Sequence, residues 1–160
     1  MNGNWKHTKH SNCEIYQFTV SDNEVVLQPK YAVSPDSIGA VRQLADSMIC
    51  RGRRIRFQAD LSTQQTDGAG LWLMANHKDW HVTDGMYDRL VKGSSDWLPV
   101  ELVIDVPENA AYISYGLWMQ GNGKCSIRNA KFDIVDESIA VTTKQIWDRI
   151  GPQQYKPRTA

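Results

Sequence analysis

The segment RRIRFQADLS, from Arg53 to Ser62, alternates between apolar and polar residues more cleanly than any other part of the chain. The apolar positions share one side of an extended strand and the polar positions share the other: Ile55, Phe57, Ala59 and Leu61 against Arg54, Arg56, Gln58 and Asp60. A period of two over this length predicts a strand with one buried and one solvated face.

Similar strand patterns lie on both sides of this segment. They cover residues 13–20, 25–28, 71–76, 98–106, 110–120 and 124–135. Turn residues separate them, including Pro107 to Asn109 and the Asn-Gly step within Gly121 to Gly123, and residues 63–70 are predicted as a loop. Repeated strands with short turns predict an all-β protein, an antiparallel two-sheet β-sandwich of the jelly-roll type.

Two segments lack a clear period. Residues 38–49 fit a helical stripe, but Gly39 and the neighbouring strands favour an irregular strand, which we expect here. After residue 136 the pattern changes, and Ile146 and Ile150 lie one helical turn apart behind a cap-like Thr-Thr step. This pattern predicts a short C-terminal helix.

The patterns predict a single sandwich domain over residues 13–136. A polar, loose leader is expected over residues 1–12, and an extension carrying the short helix over residues 137–160. The first residues have no apolar core of a signal peptide, and no stretch approaches the roughly 18 apolar residues of a membrane span. We therefore expect a cytoplasmic protein.

Charge and cysteine content exclude several classes of protein. Eighteen basic residues balance eighteen acidic ones, so no global field favours nucleic acid or an anionic membrane, and low net charge mildly favours a homodimer. The four arginines between Arg51 and Arg56 are interpreted as part of a solvated sheet face. Three cysteines at irregular spacing do not form a disulfide framework.

Roughly the last two thirds of the chain, from Arg51 on, carry the motifs RGRRIRFQADLST, GLWLM, DGMYDRLVKGSSDW and LVIDVPENA in that order. This series resembles a bacterial β-sandwich domain that occurs as an accessory unit of AraC-type transcriptional regulators and as stand-alone proteins. More distantly it resembles carbohydrate-binding modules of the galactose-binding jelly-roll type. Matching positions in the central motif are Asp84, Met86, Asp88, Arg89, Lys92, Gly93, Asp96 and Trp97.

The chain departs from that pattern at three places. Gly85 stands where the family has Asn, Leu90 where it has Pro, and residues 125–129 replace its VWxDD motif. These residues contain no helix-turn-helix, so the resemblance implies the sandwich and a role in recognising a ligand or a partner, without direct contact to nucleic acid.

Trp72 and Trp118 are the sharpest candidates for a binding surface. Each alternates with aliphatic residues, so both are expected to project from one sheet face together with Met74, Asn76 and Gln120. An aromatic platform with amide groups suits a sugar or another small polar ligand. The alternative is an apolar face that is covered by a loop or by another subunit.

Four polar residues of the DGMYDR segment are further candidates: Asp84, Tyr87, Asp88 and Arg89. They are able to hydrogen-bond the hydroxyl groups of a ligand, with Arg89 as a planar charged donor. The competing interpretation is that Asp88 or Asp96 pairs with Arg89 or caps a loop, and so fixes its shape.

Signals for catalysis and for metals are weak. The chain has no G-x-S-x-G or H-E-x-x-H motif, and Asp84 and Asp88 have nothing beyond their presence to support a glycosidase pair. His77 and His81, and the series His7, His10 and Cys13, have spacings that converge on a helix rather than on a strand. We therefore predict a non-catalytic binding module without cofactor or metal; the alternative is a protein-interaction or self-assembly module.

Overall fold

The computed structural model describes residues 4–8, 11–144, 146–151 and 154–158. Nearly all of them form antiparallel strands, as the alternation predicts. The elements are β1 (Lys6–His7), β2 (Tyr16–Val20), β3 (Glu24–Pro29), β4 (Ile38–Ala45), α1 (Ser47–Cys50), β5 (Arg54–Asn76), β6 (Trp80–Asp84), β7 (Val91–Asp105), β8 (Tyr112–Gln120), β9 (Lys124–Val135), β10 (Ile146–Gly151) and β11 (Gln154–Arg158).

The long strand β5 runs through both layers of a β-sandwich. Its first half pairs with β7 and β9, and its second half pairs with β8 and β6. The back layer therefore has the order β2-β3-β9-β5-β7, and the front layer has the order β1-β4-β8-β5-β6-β10-β11. The predicted all-β two-sheet sandwich is confirmed.

The predicted loop over residues 63–70 is wrong, because this segment is the middle of β5. Its backbone groups pair with β7, β8 and β9, through shifts of register between Leu61 and Ala69. Such irregularities bend a strand without ending it. Gln65 takes a positive φ of 49° at this bend, which accounts for the turn-like composition.

The core lies between the two layers. The back layer contributes the predicted apolar side of β5, in which Ile55, Phe57 and Leu61 are fully buried. The front layer contributes alternate residues of β5 and β8, including Leu73 and Leu117. Each sheet thus turns one side of its pleat inward, and the other side is available to solvent or to a ligand.

Tyr16 joins the two layers. Its ring lies so close to Gly39 of β4 that a β-carbon there would fall 2.4 Å from it. Its hydroxyl donates to the carbonyl oxygen of Gly121 at 2.6 Å. The side chain is fully buried, and this burial raises the pKa of Tyr16 to about 12.

The predicted short C-terminal helix is wrong. Residues 146–151 form β10, which pairs with β6 on one side and with β11 on the other. An uncovered β6 would leave a row of unpaired N–H and C=O groups, and a strand satisfies them where a short helix would not.

The sheet also extends beyond the predicted N-terminal limit of the domain. Lys6 and His7, expected in a loose leader, pair with Arg42 and Val41, and Trp5 is buried in the core. The expected strand over residues 38–49 is confirmed as far as Ala45, and a single helical turn follows. The Asp46 carboxylate caps that turn by accepting from the amide of Met48 at 2.9 Å.

The three cysteines are free in the structure, which agrees with the interpretation of their spacing. Cys125 is fully buried, and burial raises the pKa of its thiol. Among the described residues, no helix is long and apolar enough to cross a membrane.

Candidate ligand-binding face

The register places Trp72 and Trp118 on the same side of the front layer. Trp72 lies opposite Gly116, and Gly70 lies opposite Trp118, so the two indoles are diagonal neighbours. Residues of the opposite phase, such as Leu71 and Leu117, are fully buried in the core. We call the outward side of β4, β8, β5 and β6 the front face.

The DGMYDR segment crosses this face as a tight loop after β6. The carboxylate of Asp84 is buried, accepting from the amide of Met86 at 3.0 Å and from Nη2 of Arg89 at 2.6 Å. Arg89 also donates to Asp88 at 2.8 Å, and this hydrogen bond lowers the pKa of Asp88. Arg89 therefore fixes the shape of the loop through the expected pair with Asp88 and a pair with Asp84 that the sequence did not predict.

The loop covers Trp118. The indole is 8% exposed, its Nε1 donates to the carbonyl oxygen of Gly85 at 3.0 Å, and the ring of Tyr87 lies 5.6 Å away. Tyr87 itself is 67% exposed. The accessible rings of the front face consequently include Tyr87, Tyr112 and the partly buried Trp72, whereas Trp118 of the predicted Trp72–Trp118 pair is covered.

Gly85 is explained by the same packing. A β-carbon at this position would lie 2.5 to 2.8 Å from ring and hydroxyl atoms of Tyr87. Real side chains do not approach that closely, so a larger residue here would push the tyrosine off Trp118. Glycine at position 85, where the family that the sequence resembles has Asn, therefore leaves room for the ring of Tyr87.

Three buried polar atoms of the front face have no hydrogen-bond partner among the described residues: Trp72 Nε1, Asn76 Nδ2 and Ser114 Oγ. Ser114 and Asn76 are only 2% and 3% exposed. Ser114 lies opposite Met74, between Trp72 and Asn76 along β5, so the three form one cluster. Buried polar groups are almost always satisfied, and an unsatisfied cluster calls for a ligand or ordered water.

The other predicted site residues are distributed along the face. Met74 is partly buried within the cluster. Gln120 lies opposite Gly68, whereas Asn76 lies opposite Tyr112, so eight positions separate the two amides along the strands, about 27 Å. Gln120 therefore does not share a binding point with Asn76.

Ser114 was missed among the candidate residues, as was Arg42. Ser114 alternates in phase with Trp118, so the sequence predicts its position on the front face. The sequence does not predict that its hydroxyl is buried without a partner among the described residues. Arg42 belongs to a segment of unclear period, and only the pairing of β4 with β8 places it opposite Gly116.

His77 belongs to the turn between β5 and β6. Its ring stacks on Trp80 at 4.9 Å, and its Nδ1 accepts from the amide of Asp79 at 3.2 Å. No group of three or more His, Cys, Asp or Glu side chains able to hold a metal occurs in the part of the chain that the structure describes. His10 lies outside the described residues.

A depression of about 450 Å³ lies at the back layer, away from the front face. Its lining is polar and contains no aromatic ring: Ser62, Thr63, Gln64, Ser94, Ser95, Asp96, Lys124 and Ser126. The hydroxyl of Thr63 in this lining is buried without a hydrogen-bond partner among the described residues, but no aromatic ring accompanies it, unlike on the front face.

Comparisons with known proteins support the fold. No protein-family model matches the chain. It is 32% identical over 98 residues to an uncharacterised HTH-type transcriptional regulator, YbfP, of Bacillus subtilis (strain 168). The match covers 59% of this chain and 33% of the regulator, so the chain spans about a third of that relative's length.

Two solved carbohydrate-binding modules share the sandwich at low sequence identity. A CBM4 structure has a TM-score of 0.55 at 12% identity, covering 82% of this chain and 86% of the module. The xylan-binding domain from CBM 22 has a TM-score of 0.56 at 10% identity, covering 84% and 88%. At this level of identity the likeness establishes the β-sandwich fold.

Proposed function

We propose that the chain is a non-catalytic binding module that takes a carbohydrate or a similar polar ligand on its front face. The cluster of unpartnered Trp72 Nε1, Asn76 Nδ2 and Ser114 Oγ carries the proposal. Sugar hydroxyl groups both donate and accept, which is the hydrogen-bonding capacity that these three groups lack. The apolar side of a sugar ring packs on an indole or a phenol, and Trp72 and Tyr87 offer both.

The comparisons support this class of ligand. The two structural neighbours are carbohydrate-binding modules, and one is described as a xylan-binding domain. Fold alone does not assign function, so the weight rests on the geometry of the face.

The two carboxylates that a glycosidase mechanism would use are already engaged. Asp84 and Asp88 both bind the guanidinium of Arg89, and Arg89 holds the pKa of Asp88 below its usual value. A glycosidase needs one carboxyl group that stays protonated as the general acid. This arrangement favours binding over hydrolysis.

Titration with a panel of neutral oligosaccharides, followed by tryptophan fluorescence and by calorimetry, tests the proposal. We expect Trp72→Ala to weaken binding by about 30-fold, the effect of losing a central aromatic contact of about 2 kcal/mol. Trp97→Ala is the matched control, because Trp97 lies on the back layer beneath Arg128. Unchanged affinity in Trp72→Ala would place the ligand elsewhere.

A second candidate function is self-association. Four exposed apolar side chains lie where β4 and β8 meet α1: Leu44, Met48, Ile49 and Tyr112, with exposures of 55%, 69%, 60% and 44%. A cluster of this kind is typical of a protein interface. Light scattering tests it: a dimer that Ile49→Lys converts to a monomer supports a homodimer through this surface, and a monomer at all concentrations contradicts it.

A further inference from the structure

One row of side chains crosses the front face at the level of Trp72. Lys6 pairs with Arg42, Arg42 with Gly116, and Gly116 with Trp72, on the neighbouring strands β1, β4, β8 and β5. All four share one side of the sheet, because Val41 in the opposite phase is fully buried. The row therefore runs from two cations to an indole.

Gly116 leaves the middle of this row without a side chain. A β-carbon there would collide with the backbone oxygen of Val41, so β4 approaches β8 closely and the position excludes side chains. Arg42 and Trp72 flank it at two strand spacings from each other, about 10 Å. A ligand lying over the backbone of Gly116 meets an aromatic ring on one side and a guanidinium on the other.

The two cations of the row have no acidic partner. Arg54, Arg56, Arg89 and Arg128 each lie within 3.6 Å of a carboxylate. Within the described ranges, neither Lys6 nor Arg42 forms such a pair. Lys6 is exposed and Arg42 is partly buried. The acidic residues at the ends of β6 and β4 already have partners: Arg89 binds Asp84 and Asp88, and Asp46 caps α1.

The hydrogen-bonding groups along the row only donate. These are Lys6, Arg42 and Trp72 Nε1, and the Nδ2 of Asn76 is likewise a donor. The hydroxyl of Ser114, like those of Tyr87 and Tyr112 on the same face, both donates and accepts. The complement of such a surface is rich in acceptors and negatively charged, and a carboxylate, which only accepts, fits it best.

We infer that the ligand is an acidic saccharide, whose sugar carboxylate binds Arg42 and Lys6 while a sugar ring lies against Trp72. This inference rests on the proposed function and names the chemical class of its ligand. The carboxylate gains a charge-assisted contact, and Arg42 gains the partner that the described part of the chain does not supply.

Matched ligand pairs test the inference by calorimetry at low and high salt. One pair is an oligogalacturonide and its carboxyl-reduced derivative; the other is a xylo-oligosaccharide with and without a glucuronic acid branch. We expect the acidic member to bind about tenfold more tightly at low salt, the effect of one hydrogen-bonded charge contact, and the preference to shrink at high salt.

The variant Arg42→Gln retains a polar side chain but loses the charge, so it is expected to abolish the preference while leaving the affinity for the neutral members. Lys131→Gln is the control, because Lys131 is exposed on the back layer opposite Gln58. Melting temperatures of both variants verify the fold.

The outcomes separate the inference from the proposed function. Equal affinity for the acidic and neutral members overturns the inference and leaves the binding module intact. An equal loss for both members in Arg42→Gln also overturns it. No binding to either pair or to the neutral panel overturns the proposed function and the inference with it.

Discussion

The outward faces of the two layers are built from similar residues and differ in how those residues are satisfied. On the back layer, Arg54 binds Asp105 through two hydrogen bonds of 2.7 and 3.0 Å. Arg56 binds Asp133 in the same way, at 3.2 and 3.0 Å. On the front face, Arg42 has no carboxylate partner within the described ranges.

Trp97 of the back layer and Trp72 of the front face also differ in whether a neighbouring group satisfies them. On the back layer, the guanidinium of Arg128 lies 4.2 Å from the ring centre of Trp97, a cation–π contact. On the front face, the Nε1 of Trp72 is buried without a partner. The charges and the ring of the back layer therefore satisfy one another. The ring of the front face has donors beside it without a partner among the described residues, as is typical of a surface that takes a ligand.

The largest expected effect tests the side chain that joins the layers. Burial raises the pKa of Tyr16 from 10.0 to about 12, so between these pH values the folded chain keeps a proton that the unfolded chain loses. The stabilisation is complete below pH 10 and disappears as the pH rises to about 12, a loss on the order of 2 to 3 kcal/mol.

Urea unfolding from pH 9 to 12, with Tyr16→Phe as reference, measures this loss. The phenylalanine variant retains the ring but cannot titrate, so its unfolding free energy should fall less steeply with pH. The buried thiol of Cys125 is present in both proteins, so its contribution to the pH dependence of the unfolding free energy cancels in the difference. Equal slopes for the two proteins would show that Tyr16 does not tie the layers in this way.

The next effect compares ion pairs on the two layers. Arg89→Ala leaves the carboxylate of Asp84, which is 4% exposed, without its cation, and should lower the unfolding free energy by about 2 kcal/mol. Arg128→Ala breaks a 3.5 Å pair between partly exposed groups and also the contact with Trp97, and should lower it by about 1 kcal/mol. Thermal and urea unfolding of both variants give the comparison, and equal losses would contradict it.

The smallest effect has the opposite sign. Ser114→Ala removes a buried hydroxyl that has no partner, so the unfolding free energy should rise by about 1 kcal/mol while saccharide affinity falls. Ser11→Ala is the matched control, because its hydroxyl accepts from the amide of Ala40 at 3.1 Å, and its loss should destabilise by about 1 kcal/mol. If Ser114→Ala destabilises as much, the hydroxyl has a partner in solution.

Much of the fold could be predicted from the local alternation of apolar and polar residues. The alternation of Arg53 to Ser62 correctly assigned Phe57 to the core and Arg56 to the surface. The loop predicted over residues 63–70 failed because turn-like composition also suits a bent strand. The C-terminal helix failed because the edge of β6, distant in sequence, decides what residues 146–151 do.

The candidate site was predicted only in part. The period-two pattern correctly put Trp72 and Trp118 on one face, but it did not show that Gly85 would accept the indole hydrogen bond of Trp118. Asp84 and Arg89 were recognised as a motif with two interpretations, and their 2.6 Å contact supports the structural one.

The sequence by itself determined which side chains point inward in the regularly alternating strands, because a strand's side-chain period is a local property of its backbone. Only the tertiary structure decided which strands are neighbours. That order sets Arg42, Gly116 and Trp72 in one row, pairs Arg56 with Asp133, and leaves Ser114 unsatisfied. These relations join residues far apart in the chain, so they depend on register and burial, which no local pattern contains.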